Sequence, residues 1–339
     1  QIAETYVMNQ VHLQTVLASK AVRVVQAAEG RAVVDFGMRR IHGTDAALKA
    51  ARAGYIAGIE STSNVLAGEL YGIPVAGTMA HSFIQAFDNE MDAFRAFVRT
   101  YPHTVLLVDT YDTIEGVRRV VELIRHSGGR VRPSAIRLDS GDLVELAFRA
   151  RTILDEAGLD DVGIFASGGL DEYEIARIVA AGAPITGFGV GTRMGVSTDA
   201  PALDAAYKLT EYAGVGRLKL SPGKAILPGR KQVFRIEEEG EAVRDVVARH
   251  DEVQPGRALL QRVMESGRRL PEGQVELAES RARAKDEIAR LPERLRALSP
   301  ASPPYPVLVS ERLRADADAA VERVRRANAP PHDDLEMEC

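Results

Sequence analysis

The sequence predicts an α/β fold: an irregular β/α barrel of about seven parallel strands, with an additional smaller β-containing domain and a helical C-terminal region. Between residues 31 and 191, short apolar runs alternate with longer amphipathic segments, which is typical of repeated βα units. Polar or glycine residues stand at the end of every run. This favours a barrel with its site on one face, because an open doubly wound sheet would concentrate such groups near one switch point.

The elements follow in order along the chain. Apolar residues at helical spacing between Ile2 and Val25 predict a leading helix. The predicted strands are Arg31–Gly37, Ile56–Thr62, Ile73–Thr78, His103–Asp109, Pro133–Asp139, Val162–Gly168 and Ile185–Gly191. The predicted helices between them are Thr44–Tyr55, Asn64–Tyr71, Asn89–Thr100, Ile114–His126, Leu143–Ala157 and Glu172–Ala181.

The pattern changes near residue 198, which predicts one domain over residues 1–197 and a second over residues 198–339. Tyr207–Tyr212, Gly216–Leu220 and Gln232–Ile236 are predicted as antiparallel strands separated by Gly- and Pro-containing turns. Residues 268–296 are dense in Arg, Glu and Ala, which predicts an exposed helix of mixed charge. A final helix is predicted near residues 310–327.

Composition excludes several classes of protein. With 45% hydrophobic and 27% charged residues, the chain is expected to be globular rather than disordered. Its formal charge of −5 gives no basic excess for nucleic acid. The one cysteine, Cys339, excludes an intramolecular disulfide and a Cys-rich metal site. Because the sequence shows neither the pattern of a signal peptide nor that of a membrane span, we expect a soluble cytoplasmic protein.

The most informative motif is the stretch from Arg137 to Asp142. A strand delivers Arg137 and Asp139 to its end, and Ser140-Gly141-Asp142 opens the next helix, whose N-terminus favours anions. Asp139 or Asp142 can bind ribose hydroxyls or Mg²⁺ through its oxygens. Alternatively, Asp142 only caps the helix.

Glycine-bearing strand ends occur in two consecutive units. Ser167, Gly168 and Gly169 end one predicted strand, and Gly189 and Gly191 end the next. Adjacent loops of this kind are typical of phosphate sites in barrels, although glycine also serves tight turns.

His81 follows the third predicted strand in Gly77-Thr78-Met79-Ala80-His81-Ser82. A histidine in this place can act as a base, a metal ligand or a covalent nucleophile, although a lone histidine is more often structural.

Cations that can hold a phosphate-bearing substrate occur in two places. Arg39 and Arg40 follow the first strand, and a second group lies in the β-rich stretch. The second group consists of Lys208, Lys219, Lys224, Arg230 and Lys231. For each lysine, simple solvation at the surface is the competing interpretation.

Several motifs together resemble nicotinate phosphoribosyltransferases, over roughly residues 5 to 240. They are Asp35-Phe36-Gly37-Met38-Arg39-Arg40, Ser61-Thr62-Ser63-Asn64-Val65-Leu66-Ala67-Gly68, Gly77-Thr78-Met79-Ala80-His81-Ser82, Asp109-Thr110-Tyr111-Asp112-Thr113, the Arg137–Asp142 stretch, Lys219-Leu220-Ser221 and Pro228-Gly229-Arg230-Lys231-Gln232-Val233. The resemblance implies transfer of phosphoribose from 5-phosphoribosyl 1-pyrophosphate to nicotinate in NAD biosynthesis, giving nicotinate mononucleotide and pyrophosphate. It also implies ATP as a co-substrate, Mg²⁺ and a homodimer with active sites at the interface.

The resemblance assigns roles to individual residues. It implies that His81 is transiently phosphorylated by ATP, that Phe36 stacks on the pyridine ring, and that Arg39 lies near that ring. Arg137 and Asp139 would contact the ribose region as the catalytic groups. The remaining residues of the implied substrate site are Ser63, Thr78, Asp109, Ser167, Gly168, Gly169, Gly189, Gly191, Lys208, Lys219 and Lys231, the lysines serving the pyrophosphate.

Alternatives remain open from the sequence. Nicotinamide phosphoribosyltransferase carries an acid where this chain has Ser63, and quinolinate phosphoribosyltransferase lacks the context of His81. Members of the nicotinate family carry a further segment before the point where this chain opens at Gln1, including a tyrosine-bearing part of the pyridine site. The chain is therefore expected to be either part of an active protein or a truncated, inactive nucleotide-binding chain.

Overall fold

The computed structural model describes residues 2–221 and 226–329, so Gln1, Lys224 and Cys339 lie outside the described residues. The contacts divide the chain into two units. The first holds the residues up to Ala205 together with Glu276–Asp286, and the second holds Ala206–Val275 and the residues from Glu287 on. The sequence places the boundary at residue 197 instead.

The first unit is built on a six-stranded parallel sheet in the order β2-β1-β6-β5-β4-β3. Its strands are β1 Ala32–Asp35, β2 Ser61–Thr62, β3 Val105–Leu107, β4 Ala135–Leu138, β5 Gly163–Ala166 and β6 Gly187–Val190. The pairing of β1 with β6 joins the first strand to the last, as in a barrel. The sheet stays open between β2 and β3, which corrects the predicted seven-stranded barrel to a curled sheet of six strands.

The missing strand is the predicted run Ile73–Thr78. Only Val75 forms a parallel bridge, to Thr62, with hydrogen bonds from Thr62 N to Pro74 O and from Ala76 N to Thr62 O. Pro74 has no amide hydrogen to donate, so the ladder cannot extend through it. The run therefore lies beside β2 without becoming a strand.

Helices flank the sheet: α1 Ile2–Ala27, α2 Thr44–Ala57, α3 Val65–Tyr71, α4 His81–Gln85, α5 Glu90–Thr100, α6 Thr113–His126, α7 Leu143–Glu156, α8 Glu172–Ala180, α9 Thr192–Gly195 and a 3₁₀ turn at Met38–Arg40. Side-chain caps begin several of them, including Asn64 on α3 and Asp112 on α6. In α6, Val117, Val120 and Ile124 form a buried apolar stripe. α1 packs against α2, α8 and α9.

α10 Leu277–Ala289 attaches to the first unit through Arg281. The Arg281 guanidinium donates hydrogen bonds to the carbonyls of Tyr55, Gly58 and Ile59, and lies 4.3 Å from the Tyr55 ring centroid. These carbonyls lie at and just after the C-terminus of α2, where backbone acceptors lack partners within the helix. Arg281 therefore caps α2 from a segment far away in sequence.

Replacing Arg281 with methionine should lower the free energy of unfolding by about 2–3 kcal/mol, because hydrogen bonds to a charged group are lost and carbonyls are left without a donor. Urea denaturation measures this change. Arg283, an exposed residue of the same helix, provides the control: Arg283→Met should change the value by less than about 0.5 kcal/mol. Equal effects of the two variants would contradict the capping role.

The second unit contains a four-stranded sheet in the order β11-β9-β10-β14, in which β9 and β10 are antiparallel. Its elements are β7 Glu211–Tyr212, β8 Val215–Gly216, β9 Lys231–Glu238, β10 Glu241–Arg249, β11 Arg257–Ala258, β12 Met264–Glu265, β13 Arg268–Arg269, a 3₁₀ turn at Pro271–Gly273, α11 Glu293–Arg296, β14 Val307–Val309 and α12 Glu311–Ala327. The predicted strand Gly216–Leu220 is wrong except at Gly216, which lies in β8, and β10 was not predicted. Residues 268–296 form several short elements around α10 rather than one helix.

Across residues 2–221 and 226–329, no helix combines the length and the hydropathy needed to cross a membrane.

Candidate functional site

The carboxyl ends of the parallel strands carry most of the side chains predicted for the site. Asp35 ends β1, Asp139 follows β4, and Ser167 follows β5. Asp109 comes two residues after β3, and His81 begins α4. Hydrogen bonds and close approaches connect several of these residues.

His81 lies between two carboxylates. Its Nδ1 is 3.1 Å from the Thr110 hydroxyl, and its Nε2 is 3.7 Å from Asp139 Oδ2 and 4.0 Å from Asp109 Oδ1. The imidazole is 39% exposed, so it can meet a molecule from solution. One ring nitrogen is thus held by a hydroxyl, while the other faces acidic groups that can orient the ring.

Asp109 holds the backbone of the Asp139 segment. Its Oδ2 accepts hydrogen bonds from Asp139 N and from Ser140 Oγ, both at 2.8 Å. Its Oδ1 is buried and has no hydrogen-bond partner among the described residues. A buried carboxylate oxygen without a donor is costly, so this atom is suited to a donor that arrives with a ligand or with a protonated His81.

Asp139 is oriented by Ser167, whose hydroxyl donates to Asp139 Oδ1. The loop after Ser167 also lies against this residue: a Cβ on Gly168 would come within 1.9 Å of the Asp139 carbonyl oxygen, and Gly168 has φ +96°. Only glycine allows this approach and this conformation. The loop is therefore held directly against the Asp139 backbone, and the Asp139 side chain remains 31% exposed.

A cavity of about 460 Å³ opens next to this cluster. It is lined by Phe36, Met38, Arg39, Ser63, Gly77, Thr78, Met79, Ala80 and Arg137. The centroids of the Phe36 and Phe165 rings are 6.0 Å apart. The Cζ atom of Arg137 lies 5.9 Å from the centroid of the Phe36 ring. The cavity thus combines an aromatic face with cations, and no acidic residue is among the described residues that line it.

Arg137 points into this cavity with unused hydrogen-bonding capacity. Its Nη1 donates to Thr78 Oγ1 at 2.6 Å, while its Nε is buried and has no partner in the described part of the chain. Burial lowers the pKa of the Arg137 guanidinium, and Asp139 and Asp109 oppose this only in part. The group nevertheless stays charged, because an arginine pKa starts so high. It is suited to an anionic or carbonyl-bearing ligand.

Ser63 lines the cavity rather than capping α3. The N-cap of α3 is Asn64, whose Oδ1 accepts from Ala67 N at 3.2 Å. Ser63 N instead donates to the Asp35 carbonyl at 2.8 Å, which fixes this residue at the end of β2. Ser63 is therefore free of a capping role at the start of α3.

The Asp35 side chain, for which the sequence predicts no role of its own, links two walls of the cavity. Its carboxylate accepts from Gly37 N at 2.7 Å and from Thr62 Oγ1 at 2.8 Å. Burial raises the pKa of Asp35 even though both hydrogen bonds favour the ionised form. The segments that present Phe36 and Ser63 are thus tied together by a buried carboxyl group.

The glycines of the two loops have different surroundings. Gly168 and Gly169 are exposed and have positive φ, so their loop offers backbone to a ligand. Gly189 is buried in β6, where a Cβ would come within 2.5 Å of the Phe36 ring. Its lack of a side chain therefore makes room for Phe36. Gly191 is the N-cap residue of α9.

The other predicted residues belong to the second unit or serve local structure. Asp142 accepts from Val144 N and Glu145 N and so caps α7. Lys208 and Lys219 are exposed in the second unit. Lys231 donates to the carbonyls of Leu227 and Gly229, and burial lowers its pKa. The first unit thus holds all the residues that the resemblance assigns to the site except these lysines.

A metal site is not evident from protein groups alone. Within the described ranges, no group of three or more His, Cys, Asp or Glu side chains is arranged to hold a metal ion.

Comparison with known proteins gives a consistent result. The model of the "Nicotinate phosphoribosyltransferase (NAPRTase) family" matches residues 31–232, which contain all the cavity and cluster residues described above. The protein named nicotinate phosphoribosyltransferase pncB2 of Mycobacterium tuberculosis is 57% identical over 313 residues, covering 92% of this chain and 68% of that protein. The nicotinate phosphoribosyltransferase of Bacillus subtilis is 43% identical over 243 residues, covering 70% of this chain and 50% of that protein.

A solved structure shows the same architecture. The crystal structure of human nicotinic acid phosphoribosyltransferase superimposes with a TM-score of 0.82 at 28% identity, covering 94% of this chain and 76% of that chain.

Proposed function

The chain belongs to the nicotinate phosphoribosyltransferase (NAPRTase) family, and from this premise we propose that it transfers phosphoribose from 5-phosphoribosyl 1-pyrophosphate to nicotinate. The products are nicotinate mononucleotide and pyrophosphate, and the reaction serves NAD biosynthesis. The observation that carries the proposal is the cavity lined by Phe36, Arg39, Ser63 and Arg137, which opens beside the cluster of His81, Asp109 and Asp139.

The cavity suits a pyridine ring with a carboxylate. Phe36 offers an aromatic face, and Arg39 and Arg137 supply positive charge. An arginine fork binds a carboxylate in two places, whereas an acid near the ring substituent would repel it. Ser63 is neutral and can donate to a carboxylate oxygen. These features favour nicotinate over nicotinamide.

The ribose is placed at Asp139. As the bond between the sugar and pyrophosphate breaks, positive charge develops at the sugar carbon, and an oriented carboxylate stabilises that charge. Ser167 and the Asp109-bound backbone hold Asp139 in place before the reaction, so little reorganisation is needed. The protein's contribution is then orientation and electrostatics rather than a covalent bond to the sugar.

The 5-phosphate is assigned to the exposed Gly168-Gly169 loop and the neighbouring turn at Gly191. Backbone amides in such loops are suited to phosphate oxygens. The strands that carry the loops, β5 and β6, are hydrogen-bonded neighbours, which supports their joint use.

ATP enters the proposal as a co-substrate: an imidazole nitrogen of His81 attacks the γ-phosphorus, the bond to the β–γ bridging oxygen breaks, and ADP leaves. Thr110 holds one ring nitrogen and leaves the other for the reaction. A phosphoryl group on this ring would add negative charge beside Asp109 and Asp139, and so reorganise the pyrophosphate pocket.

Mg²⁺ fits the proposal as an ion that arrives with the substrate. Asp139 offers an exposed carboxylate, and Mg²⁺ in phosphate-binding sites is commonly held by one or two carboxylates together with substrate phosphates. When bound, the ion would offset the charge of the pyrophosphate.

The exposed Lys208 and Lys219 are proposed to serve the pyrophosphate of a second copy in a homodimer.

The test is a direct assay. The protein is incubated with nicotinate, 5-phosphoribosyl 1-pyrophosphate, Mg²⁺ and ATP, and nicotinate mononucleotide is measured by chromatography. Parallel reactions contain nicotinamide or quinolinate in place of nicotinate. The proposal is supported if the reaction with nicotinate forms product and the reactions with nicotinamide and quinolinate do not. A preference for nicotinamide or quinolinate would overturn it.

Ser63→Asp should lower kcat/KM for nicotinate at least about tenfold. The variant loses one charge-assisted contact to the nicotinate carboxylate and adds repulsion between two carboxylates. Together these two effects cost more than roughly 1.4 kcal/mol of binding free energy. The same variant should raise the relative use of nicotinamide, whose amide can donate to the new carboxylate. Ser63→Asn, which adds size without charge, is the control. An unchanged preference in the aspartate variant would leave ring specificity to other residues.

A further inference from the structure

The start of α8 carries an unusual concentration of acidic residues next to the Gly168-Gly169 loop. Asp171 is its N-cap, and Glu172 and Glu174 lie in its first turn. Such residues stabilise a helix N-terminus, but here they stand beside a loop assigned to a phosphate group. Unless their charge is balanced, they would repel that phosphate.

The balance comes from Lys20, a buried lysine in α1. Lys20 is 4% exposed, and its Nζ lies 2.8 Å from Glu172 Oε1 and 2.7 Å from Glu172 Oε2. The same Nζ also pairs with Asp199, in the segment that follows α9. Burial alone would lower the pKa of Lys20, but hydrogen bonds to Asp199 and Glu172 outweigh it and raise that pKa. The ammonium group is therefore charged and joins the elements that follow the two loops.

Two arginines complete the network. Arg23 Nε donates to Glu172 Oε1 at 2.9 Å, so this fully buried carboxylate faces two cations. Arg193 in α9 donates to Asp171 Oδ2 at 2.5 Å, which joins the turn after Gly191 directly to the start of α8. Asp171 follows the Gly168-Gly169 loop, and Arg193 follows the turn at Gly191. Their ion pair therefore connects the segments that follow the two loops.

Stability alone is a weak reason for such a network. Removing ions from water is expensive, and buried ion pairs can often be replaced by apolar residues without loss of stability. What the network does supply is a fixed spacing between two loops on neighbouring strands, together with neutralisation of Glu172 and Asp171.

We propose that Lys20 is a positioning residue for phosphate binding, acting through Glu172 and Asp199 to hold the two glycine loops in register and to cancel the acidic charge beside them. This inference rests on the proposed function of those loops. It assigns to α1, on the outside of the sheet, a part in recognising the phosphate of the nucleotide.

The experiment compares two ligands that differ only in the phosphate, nicotinate mononucleotide and nicotinate riboside, by isothermal titration calorimetry. Lys20→Met should weaken binding of the mononucleotide about tenfold or more and leave the riboside within about twofold, because only the mononucleotide meets the uncompensated acids. Lys20→Arg restores the charge and should recover most of the mononucleotide affinity. Lys49→Met removes a lysine that pairs with Asp45 on the surface of α2 and is the control.

A folding defect is separated from this effect by Arg193→Gln, because Arg193 is 51% exposed and its loss leaves the buried pairs intact. This variant should also weaken the mononucleotide selectively. If Lys20→Met and Arg193→Gln weaken both ligands equally, the network is only structural and the inference is overturned. If the unmodified protein itself binds mononucleotide and riboside equally, the phosphate role of the loops is overturned as well.

Discussion

Replacing Asp139 with asparagine is expected to reduce kcat about 100-fold or more while KM for nicotinate changes far less. Asparagine has the shape of aspartate and can keep the hydrogen bond from Ser167, so the change removes charge with little change in packing. The charge matters mainly as the sugar centre becomes positive, which is an event of the transition state rather than of nicotinate binding.

Steady-state kinetics with each substrate varied in turn measures both constants. Asp160→Asn provides the control, because Asp160 is an exposed carboxylate in the turn after α7 and its loss should leave kcat unchanged. A decrease of only a few-fold in kcat of Asp139→Asn would place this carboxylate outside the group of residues that acts on the reacting sugar.

The sequence predicts the elements of the first unit well where the signals are local. Asn64 and Asp112 are recognisable caps, and the apolar stripe of α6 shows its buried face. Strand ends are also local signals, because a short apolar run followed by Asp, Ser or Gly defines both the strand and its terminus. For this reason Asp139 and Ser167 could be placed at one edge of the sheet without coordinates.

Elements without a local signal were missed or wrong. The five residues of α4 and the four of α9 are too few to show a helical period. The run Ile73–Thr78 has the composition of a strand, but Pro74 limits it to a single bridge. Gly189 matches a phosphate-loop pattern, whereas the structure gives it a packing reason in the neighbouring Phe36 ring.

Long-range pairs cannot be inferred from periodicity at all. Lys20 lies on a helix and would be assigned to solvent, yet its partners Glu172 and Asp199 follow 152 and 179 residues later. The bridge from Asp35 to Thr62 depends in the same way on two strands meeting. One local signal does indicate that Lys20 is buried. It lies on the same part of α1 as the apolar residues Leu17, Ala21 and Val24.

His81→Ala should abolish the stimulation of product formation by ATP and leave a slow, ATP-independent transfer of phosphoribose. The imidazole is the nucleophile proposed to receive the phosphoryl group, and alanine offers none. The residual reaction is expected because Asp139 and Arg137, which we propose act on the ribose, remain in place. Product formation with and without ATP measures the change.

Incubation with ATP labelled in the γ-phosphate tests the same prediction without turnover. The unmodified protein should retain acid-labile label and His81→Ala should retain none, while His126→Ala, which removes an exposed histidine on α6, should label normally. The surroundings of His81 differ from those of His126, because Thr110 holds its Nδ1, and Asp109 and Asp139 face its Nε2 at 4.0 and 3.7 Å. Labelling of His81→Ala at the level of the unmodified protein would show that the phosphoryl group goes elsewhere, and ATP coupling would then need another acceptor.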